Sequence, residues 1–244
     1  DCTAKCNATS ACEGFTSTCS DSNLDDTEEA CATQNGYSVA AVATHATPDT
    51  SDTTAWPEFT CGASQTSGTF RLVTSCTLTD DIELSGDLTI IGQTENMASL
   101  KTITAASGKR HFTLGTTTAS AGHTLTLWYV KLTGGDVTAN SGWPDQDGGS
   151  ILAFEEGSTL NLYYSVLSGN KARTGGAIYA RGESSSNYNS IVNIYNSVIE
   201  DNEGFTAASG ANMGGAIFVS YATFTIDDTI IDDNVGYAGG GMYI

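Results

Sequence analysis

The segment TLNLYYSVLSGN, residues 159–170, has three counterparts in the same chain. These are TLTLWYVKLTGG at 124–135, IVNIYNSVIEDN at 191–202 and TFTIDDTIIDDN at 223–234, and all of them align without a gap. In each copy apolar residues recur at every second position, a polar or aromatic pair interrupts them, and apolar residues then resume. This pattern predicts two short strands joined by a corner.

A second motif lies between the copies. It reads GGSIL at 148–152, GGAIY at 175–179, GGAIF at 214–218 and GGGMY at 239–243. The motif predicts a third strand that is entered through a glycine corner, because glycine permits positive φ and a close approach of two backbones. The corner glycines are Gly148, Gly149, Gly175, Gly176, Gly214, Gly215, Gly239 and Gly240.

The spacing of the motifs separates strands from loops. Asn170, Asn202 and Asn234 lie 32 residues apart, but the distance from each asparagine to the next glycine pair varies. Strands that keep their length while corners absorb insertions are typical of a solenoid of stacked coils. We expect the three asparagines to stack at one corner as a structural ladder, each amide bonding the next across about 4.8 Å.

These residues carry a resemblance to a known repeat. GGAI followed by a block that ends apolar-x-x-Asn resembles the repeat of the chlamydial polymorphic outer-membrane proteins, and more broadly the pectin-lyase-type parallel β-helix. The chlamydial repeat has Phe where this chain has Leu167, Ile199 and Ile231. Over roughly residues 70–244 the resemblance implies an all-β, right-handed parallel β-helix. It implies little about function, because one fold hosts many functions.

The N-terminal part of the chain has a different composition. All seven cysteines occur in the first third: Cys2, Cys6, Cys12, Cys19, Cys31, Cys61 and Cys76. Their close, irregular spacing predicts disulfides and an oxidising compartment, with one cysteine left over. A metal site is the alternative, but no pair has Cys-x-x-Cys spacing. We predict a cysteine-rich cap at 1–68, with a stapled loop at 1–20 and a short helix at 21–36, followed by the β-helix at 69–244.

The composition of the chain limits where the protein can be located and which partners it can bind. The net charge of −19 argues against nucleic acid and anionic membranes, since both would be repelled. No apolar run is long enough to span a bilayer, and because the start at Asp1 lacks the charged and apolar regions of a signal peptide, we expect Asp1 to be a processed or trimmed N-terminus. Together with the predicted disulfides this favours an extracellular or cell-surface protein, and Asn7 lies in its one N-glycosylation sequon.

Acidic pairs precede two of the repeated asparagines. They are Glu200-Asp201 and Asp232-Asp233. Stacked coils would bring these carboxylates within one strand spacing, which is costly unless they face water or share a cation such as Ca²⁺. A solvated acidic face is the favoured interpretation, and no other cofactor is predicted.

Three functions remain open. A structural or adhesive surface protein, self-associating or binding surface proteins or glycans through its long loops, is the favoured hypothesis. The strand begun at 239–244 predicts that further coils or a neighbouring subunit cover the last edge, which would permit a filament. A polysaccharide lyase or hydrolase would need the acidic pairs together with Arg173 or Arg181. Ice binding would need a regular threonine array, and the outward threonines are interrupted by Asn161 and Asn193.

Overall fold

The computed structural model describes residues 2–6, 15–19, 47–48, 56–62, 64–115, 122–154, 157–182, 190–204 and 213–244. The chain divides into two units, residues 1–47 and 48–244. In the first unit β1 (Cys2–Cys6) pairs antiparallel with β2 (Phe15–Cys19), within the stretch predicted as a loop. The predicted helix at 21–36 lies outside the described residues. The predicted domain boundary after residue 68 stays a prediction.

The second unit is built from three parallel sheets of six strands each. Sheet 1 contains β3 (Gly68–Leu72), β6 (Leu88–Gly92), β9 (Thr124–Trp128), β12 (Thr159–Tyr163), β16 (Ser190–Tyr195) and β20 (Ala222–Asp227). Sheet 2 contains β4 (Cys76–Thr77), β7 (Lys101–Thr104), β10 (Val130–Thr133), β13 (Val166–Ser168), β17 (Val198–Glu200) and β21 (Ile230–Asp232). Sheet 3 contains β5 (Ile82–Glu83), β8 (Phe112–Leu114), β11 (Ile151–Phe154), β15 (Ile178–Arg181), β19 (Ile217–Ser220) and β22 (Met242–Tyr243).

The chain visits sheets 1, 2 and 3 in turn, and we call one such pass a circuit. Each sheet stacks its strands in chain order. A short extra ladder of β14 (Lys171–Ala172) and β18 (Glu203–Gly204) lies between sheets 2 and 3, and a 3₁₀ helix spans Met97–Ser99. The predictions of all-β structure and of parallel stacked strands are thereby confirmed, and the arrangement is compatible with a parallel β-helix.

The repeated blocks stack in register. Thr159 pairs with Thr124 in the preceding circuit and with Ile191 in the following one. In sheet 2, Val166 pairs in the same way with Lys131 and Val198. A shift of one residue would turn every buried side chain of a strand to the opposite face. The gapless alignment of the copies is therefore also the alignment of their core positions.

The core lies between the three sheets. Leu160, Leu162 and Leu167 of one copy are fully buried, as are Val192, Ile194 and other residues at the same positions of neighbouring circuits. Burial of one such side chain contributes about 1.5–3 kcal/mol. The residue between the first two, Asn161, is only half-buried and lies on the outer side of sheet 1.

The glycine corners have two separate causes. Gly175 has a φ of +61°, and the first glycines of the other three pairs have φ between +65° and +69°. The second cause is steric, because a Cβ on Gly175 would lie 2.1 Å from the carbonyl oxygen of Ile178, and a Cβ on Gly176 would lie 2.2 Å from that of Gly215. The first glycine of every pair excludes a side chain in this way, so the pairs mark the corners that lead into β11, β15, β19 and β22.

The first and last circuits of the second unit differ in their contacts. Phe59 is fully buried in the core, its N–H donates to the Arg71 carbonyl at 2.7 Å, and the Cys61–Cys76 disulfide ties this segment to β4. Strands β20, β21 and β22 are outermost in their sheets, and Ile230 and Val235 are 60% and 63% exposed. The predicted contact with further coils or a neighbour stays a prediction.

Candidate functional site

A column of aromatic rings runs along the outer face of sheet 3. Tyr179 and Phe218 are register partners, with ring centroids 4.9 Å apart and planes at 12°, and Tyr243 stacks on Phe218 at 5.8 Å and 7°. Phe218 therefore has a ring on each of its faces, whereas the register partner of Tyr179 in the preceding circuit is Leu152. The column ties three circuits together, and its middle ring has no free face for a ligand.

The loop between β10 and β11, residues 134–150, lies over this column. Its Trp143 donates from Nε1 to the Tyr179 hydroxyl at 3.3 Å and meets the Phe154 ring edge-on at 5.0 Å. The Arg181 guanidinium stands 5.1 Å from the Trp143 centroid, a cation–π contact. Trp143 nevertheless remains 47% exposed. These contacts hold a half-exposed indole in one orientation.

Arg110 attaches the same loop to the sheet. Its Nη2 donates to the carbonyl of Asp145 at 2.7 Å and more weakly to that of Pro144, and its Nη1 reaches the Thr113 hydroxyl at 3.5 Å. The residue is only 6% exposed, and burial lowers the pKa of its guanidinium although Asp81, Asp145 and Asp147 oppose the change. Among the described residues its Nε has no hydrogen-bond partner.

Two shallow cavities adjoin Arg110. One of about 230 Å³ is lined by Arg110, by the carboxylate residues Asp81, Glu83 and Asp145, and by Thr113, Gly115, Pro144, Leu152 and Phe154. The other, of about 250 Å³, shares Asp81, Arg110 and Asp145 and adds Lys109, Val137 and Asn140. Sequence reasoning did not single out this pocket. The available signal was the run Lys109-Arg110-His111 in a chain with only nine Lys and Arg residues.

The charges around the pocket are unevenly matched. Lys109 lies 2.6 Å from Asp80 and 3.5 Å from Asp81, and its hydrogen bond to Asp80 lowers the pKa of that carboxyl to about 2. Among the described residues the side chains of Glu83 and Asp145 make no hydrogen bond or ion pair, and both residues are exposed. The pocket thus combines a buried guanidinium with two exposed carboxylates that form no ion pair within the described part of the chain.

The two arginines that the sequence offers as catalytic candidates are engaged in other contacts. Arg173 forms a two-point ion pair with the buried Asp147, through Nε at 3.2 Å and Nη2 at 3.0 Å. Burial raises the pKa of the Asp147 carboxyl, and Arg173 opposes that shift. Arg181 lies over Trp143, as described above. Neither lies beside Glu200, Asp201, Asp232 or Asp233 in any ion pair of the described residues.

A buried histidine–serine pair also has a structural role. His111 and Ser150 are both fully buried. The His111 Nε2 lies 3.1 Å from the carbonyls of Ile103 and Thr133, which can only accept, so Nε2 carries the proton and Nδ1 accepts from Ser150 Oγ at 3.0 Å. Burial lowers the pKa of His111 to about 4. The imidazole is therefore neutral, and its hydrogen bonds connect β7, β10 and the corner before β11.

The asparagines form a continuous ladder. Asn170 donates from its backbone N and from Nδ2 to Asn202 Oδ1, each at 3.0 Å, and Asn202 donates to Asn234 Oδ1 at 2.9 and 3.0 Å. At the other end of the ladder Gly135 N donates to Asn170 Oδ1 at 3.0 Å. A second ladder, of Ser165, Ser197 and Thr229, was missed by sequence reasoning because small hydroxyl residues are common in loops.

The acidic pairs have a backbone role. Asp201 and Asp233 have φ of 55° and 49° and occupy the place that Gly169 takes, at φ 65°, in an earlier circuit. Aspartate is one of the few residues that tolerate this left-handed conformation. Glu200 and Asp232 are register partners on the outer side of sheet 2. Within the described ranges no group of three or more His, Cys, Asp or Glu side chains is placed to hold a metal ion, and shared Ca²⁺ stays a prediction.

The outer face of sheet 1 carries two further columns. Asn193 donates to Asn161 at 2.9 Å, and Asn161 donates to the Thr126 hydroxyl at 3.2 Å, so these amides bond one another along the stack. Beside them Trp128 stacks on Tyr163 at 4.0 Å. The amides interrupt the threonine rows that ice binding would need.

The remaining predicted sites are the cysteines and the sequon. Cys61 and Cys76 form a disulfide, which is consistent with an oxidising environment. Cys2, Cys6 and Cys19 lie in β1 and β2, while Asn7, Cys12 and Cys31 lie outside the described residues. In the described part of the chain no helix is long and apolar enough to cross a membrane.

No protein-family model, curated protein or solved structure matches this chain.

Proposed function

We propose that the chain is a right-handed parallel β-helix of an extracellular surface protein with a structural or adhesive role. Three parallel sheets visited in turn support the helix, and a connection between parallel strands of one sheet is right-handed in nearly all proteins. The glycine corners and the asparagine ladder support the resemblance to the chlamydial and pectin-lyase-type repeats. The disulfide supports an extracellular location.

Trp143 carries the adhesive part of the proposal. Exposing about half of an indole to water sacrifices hydrophobic stabilisation, yet three contacts keep the ring in place. Tryptophan, tyrosine and arginine are the residues that most often dominate binding energy at interfaces. A preorganised ring also loses little conformational freedom on binding. The Trp143 and Arg181 pair is thus suited to be the centre of a contact with a surface protein or glycan.

A bead assay and a glycan array test this role. Beads coated with the chain are expected to cluster with one another or to bind defined glycans, and Trp143→Ala is expected to weaken that binding about tenfold or more. Tyr237→Ala is the matched control, because Tyr237 is 76% exposed and has no ring contact among the described residues. Equal loss in both variants, or no binding by the parent chain, would contradict the adhesive role.

The pocket at Arg110 favours a second candidate, a polysaccharide lyase or hydrolase. Carboxylates beside a basic group are the minimum equipment for such a reaction, and Asp81, Glu83 and Asp145 line the cavity with Arg110. Incubation with acidic and neutral polysaccharides, followed by assays for new reducing ends and unsaturated products, tests it. Activity that disappears in Asp145→Asn would replace the adhesive proposal.

A further inference from the structure

We propose that the 230 Å³ pocket beside Arg110 binds a small zwitterion, namely a free α-amino acid with an aliphatic side chain. The site lies next to Trp143, but it does not depend on the proposed adhesive role. Its elements are a buried guanidinium, two exposed carboxylates without an ion pair among the described residues, and three apolar lining residues.

The guanidinium supplies the first half of the recognition. An arginine offers five N–H donors, and Arg110 has one short hydrogen bond, to the Asp145 carbonyl, and two long ones. It has no carboxylate within ion-pair distance among the described side chains. Asp81, Asp145 and Asp147 therefore act on this buried cation only at longer range, and a planar carboxylate is the group that best matches the geometry of a guanidinium.

The acidic lining restricts which carboxylates the pocket can bind. Glu83 and Asp145 line it, both are exposed and neither has a hydrogen bond or ion pair through its side chain among the described residues, and the protein as a whole carries a charge of −19. A simple anion would be repelled by both. A ligand that brings its own ammonium group next to its carboxylate would instead pair with Glu83 and Asp145 while its carboxylate reaches Arg110.

Size and polarity agree with an amino acid. A volume of 230 Å³ corresponds to about eight waters at roughly 30 Å³ each, close to the heavy-atom count of a small aliphatic amino acid. Leu152, Phe154 and Pro144 supply the apolar part of the lining and would contact its side chain. Because the cavity is small and open, we expect a dissociation constant on the order of 1 mM.

The probes are L-leucine and two relatives that each lack one charge. Leucinamide has no carboxylate, and 4-methylpentanoate has no ammonium group. Titration calorimetry or ligand-observed NMR on the full chain is expected to show saturable binding of L-leucine, at least tenfold tighter than either relative. Glucose should not compete, which separates this site from a sugar subsite.

Glu83→Gln is the informative variant, because the Glu83 side chain is exposed and makes no hydrogen bond or ion pair among the described residues. It is expected to weaken L-leucine binding about fivefold, whereas Glu200→Gln, the same substitution outside the pocket, should have no effect. Arg110→Gln should abolish binding, with circular dichroism used to check that the sheets persist.

The proposal is overturned by any of three results. The first is no saturation by L-leucine up to about 50 mM. The second is equal binding of L-leucine and one of its single-charge relatives. The third is equal loss in Glu83→Gln and Glu200→Gln. Failure of bead adhesion would leave this result unaffected, so the two proposals fail separately.

Discussion

Replacing Asn202 with alanine is expected to destabilise the β-sheet unit strongly, because this side chain serves two neighbouring circuits. Its Oδ1 accepts from the backbone N and from Nδ2 of Asn170, and its Nδ2 donates to the Leu167 carbonyl at 3.0 Å. Asn202 is 1% exposed, so water does not replace these bonds.

The magnitude follows from the groups left without partners. Truncation leaves the Asn170 backbone N–H buried without a partner, which costs about 1–3 kcal/mol. It also removes one bond each from the Leu167 carbonyl and from the Asn170 side-chain amide, which keeps its bond to the Leu132 carbonyl at 3.4 Å, and each lost bond costs about 0.5–1.5 kcal/mol. The expected loss is therefore about 2–6 kcal/mol, with a fall in melting temperature of about 5 °C or more.

Asn193→Ala is the matched control. Asn193 belongs to the same circuit and bonds the amide of the neighbouring circuit at 2.9 Å, but it lies half-exposed on the outer side of sheet 1, where water can replace the bond. Its loss should cost about 1 kcal/mol or less. Urea denaturation followed by circular dichroism measures both. Equal costs for the two variants would refute the argument that burial makes the corner ladder essential.

Three further expectations rest on other parts of the second unit. Gly176→Ala should destabilise by several kcal/mol in the same denaturation assay, since its Cβ would lie 2.2 Å from a carbonyl oxygen, whereas Gly142→Ala meets nothing within 4 Å and should cost about 1 kcal/mol from its positive φ alone. Burial lowers the pKa of His111 to about 4 from an ordinary 6.5, so the folded state binds the proton less tightly than the unfolded state does. The free energy of unfolding should therefore be highest above pH 6.5 and should fall by about 3 kcal/mol as the pH falls toward 4. A His111 imidazole that titrates by NMR near pH 6.5 would contradict this. Digestion with trypsin and a glutamate-specific protease without reductant should yield the Cys61 and Cys76 peptides as one linked species, and free thiols at both would argue against an oxidising compartment.

Repetition made the fold accessible from the sequence. Asn170, Asn202 and Asn234 lie 32 residues apart, and the register partners in the last three strands of sheet 2 have the same separation. Neighbouring circuits can bury their apolar faces only when equivalent positions stack. The paired glycines were equally informative, since a Cβ on the first glycine of each pair would lie 2.1–2.3 Å from a carbonyl oxygen, which excludes any side chain. The variable distance between each asparagine and the next glycine pair likewise predicted that insertions lie in the corners.

The pocket could not be predicted in this way. Asp81, Arg110 and Asp145 come from three separate loops, and none of them belongs to a repeated motif. Arg173 drew attention as a basic residue in the repeats, but its partner Asp147 lies 26 residues earlier, in an insertion. Side chains brought together by corners of different length leave no periodic signal.

The strands, their parallel stacking and the residues at the corners follow from the sequence, because they depend on local alternation, on glycine and asparagine chemistry and on a spacing that repeats. Which charged groups meet, which aromatic rings are covered and which arginine is buried without an ion pair depends on tertiary contacts. Those outcomes depend on how far each insertion reaches across the sheet beneath it. Trp143 and Arg110 acquire their roles in that way, since a loop of the third circuit is held down by an arginine from the circuit before it.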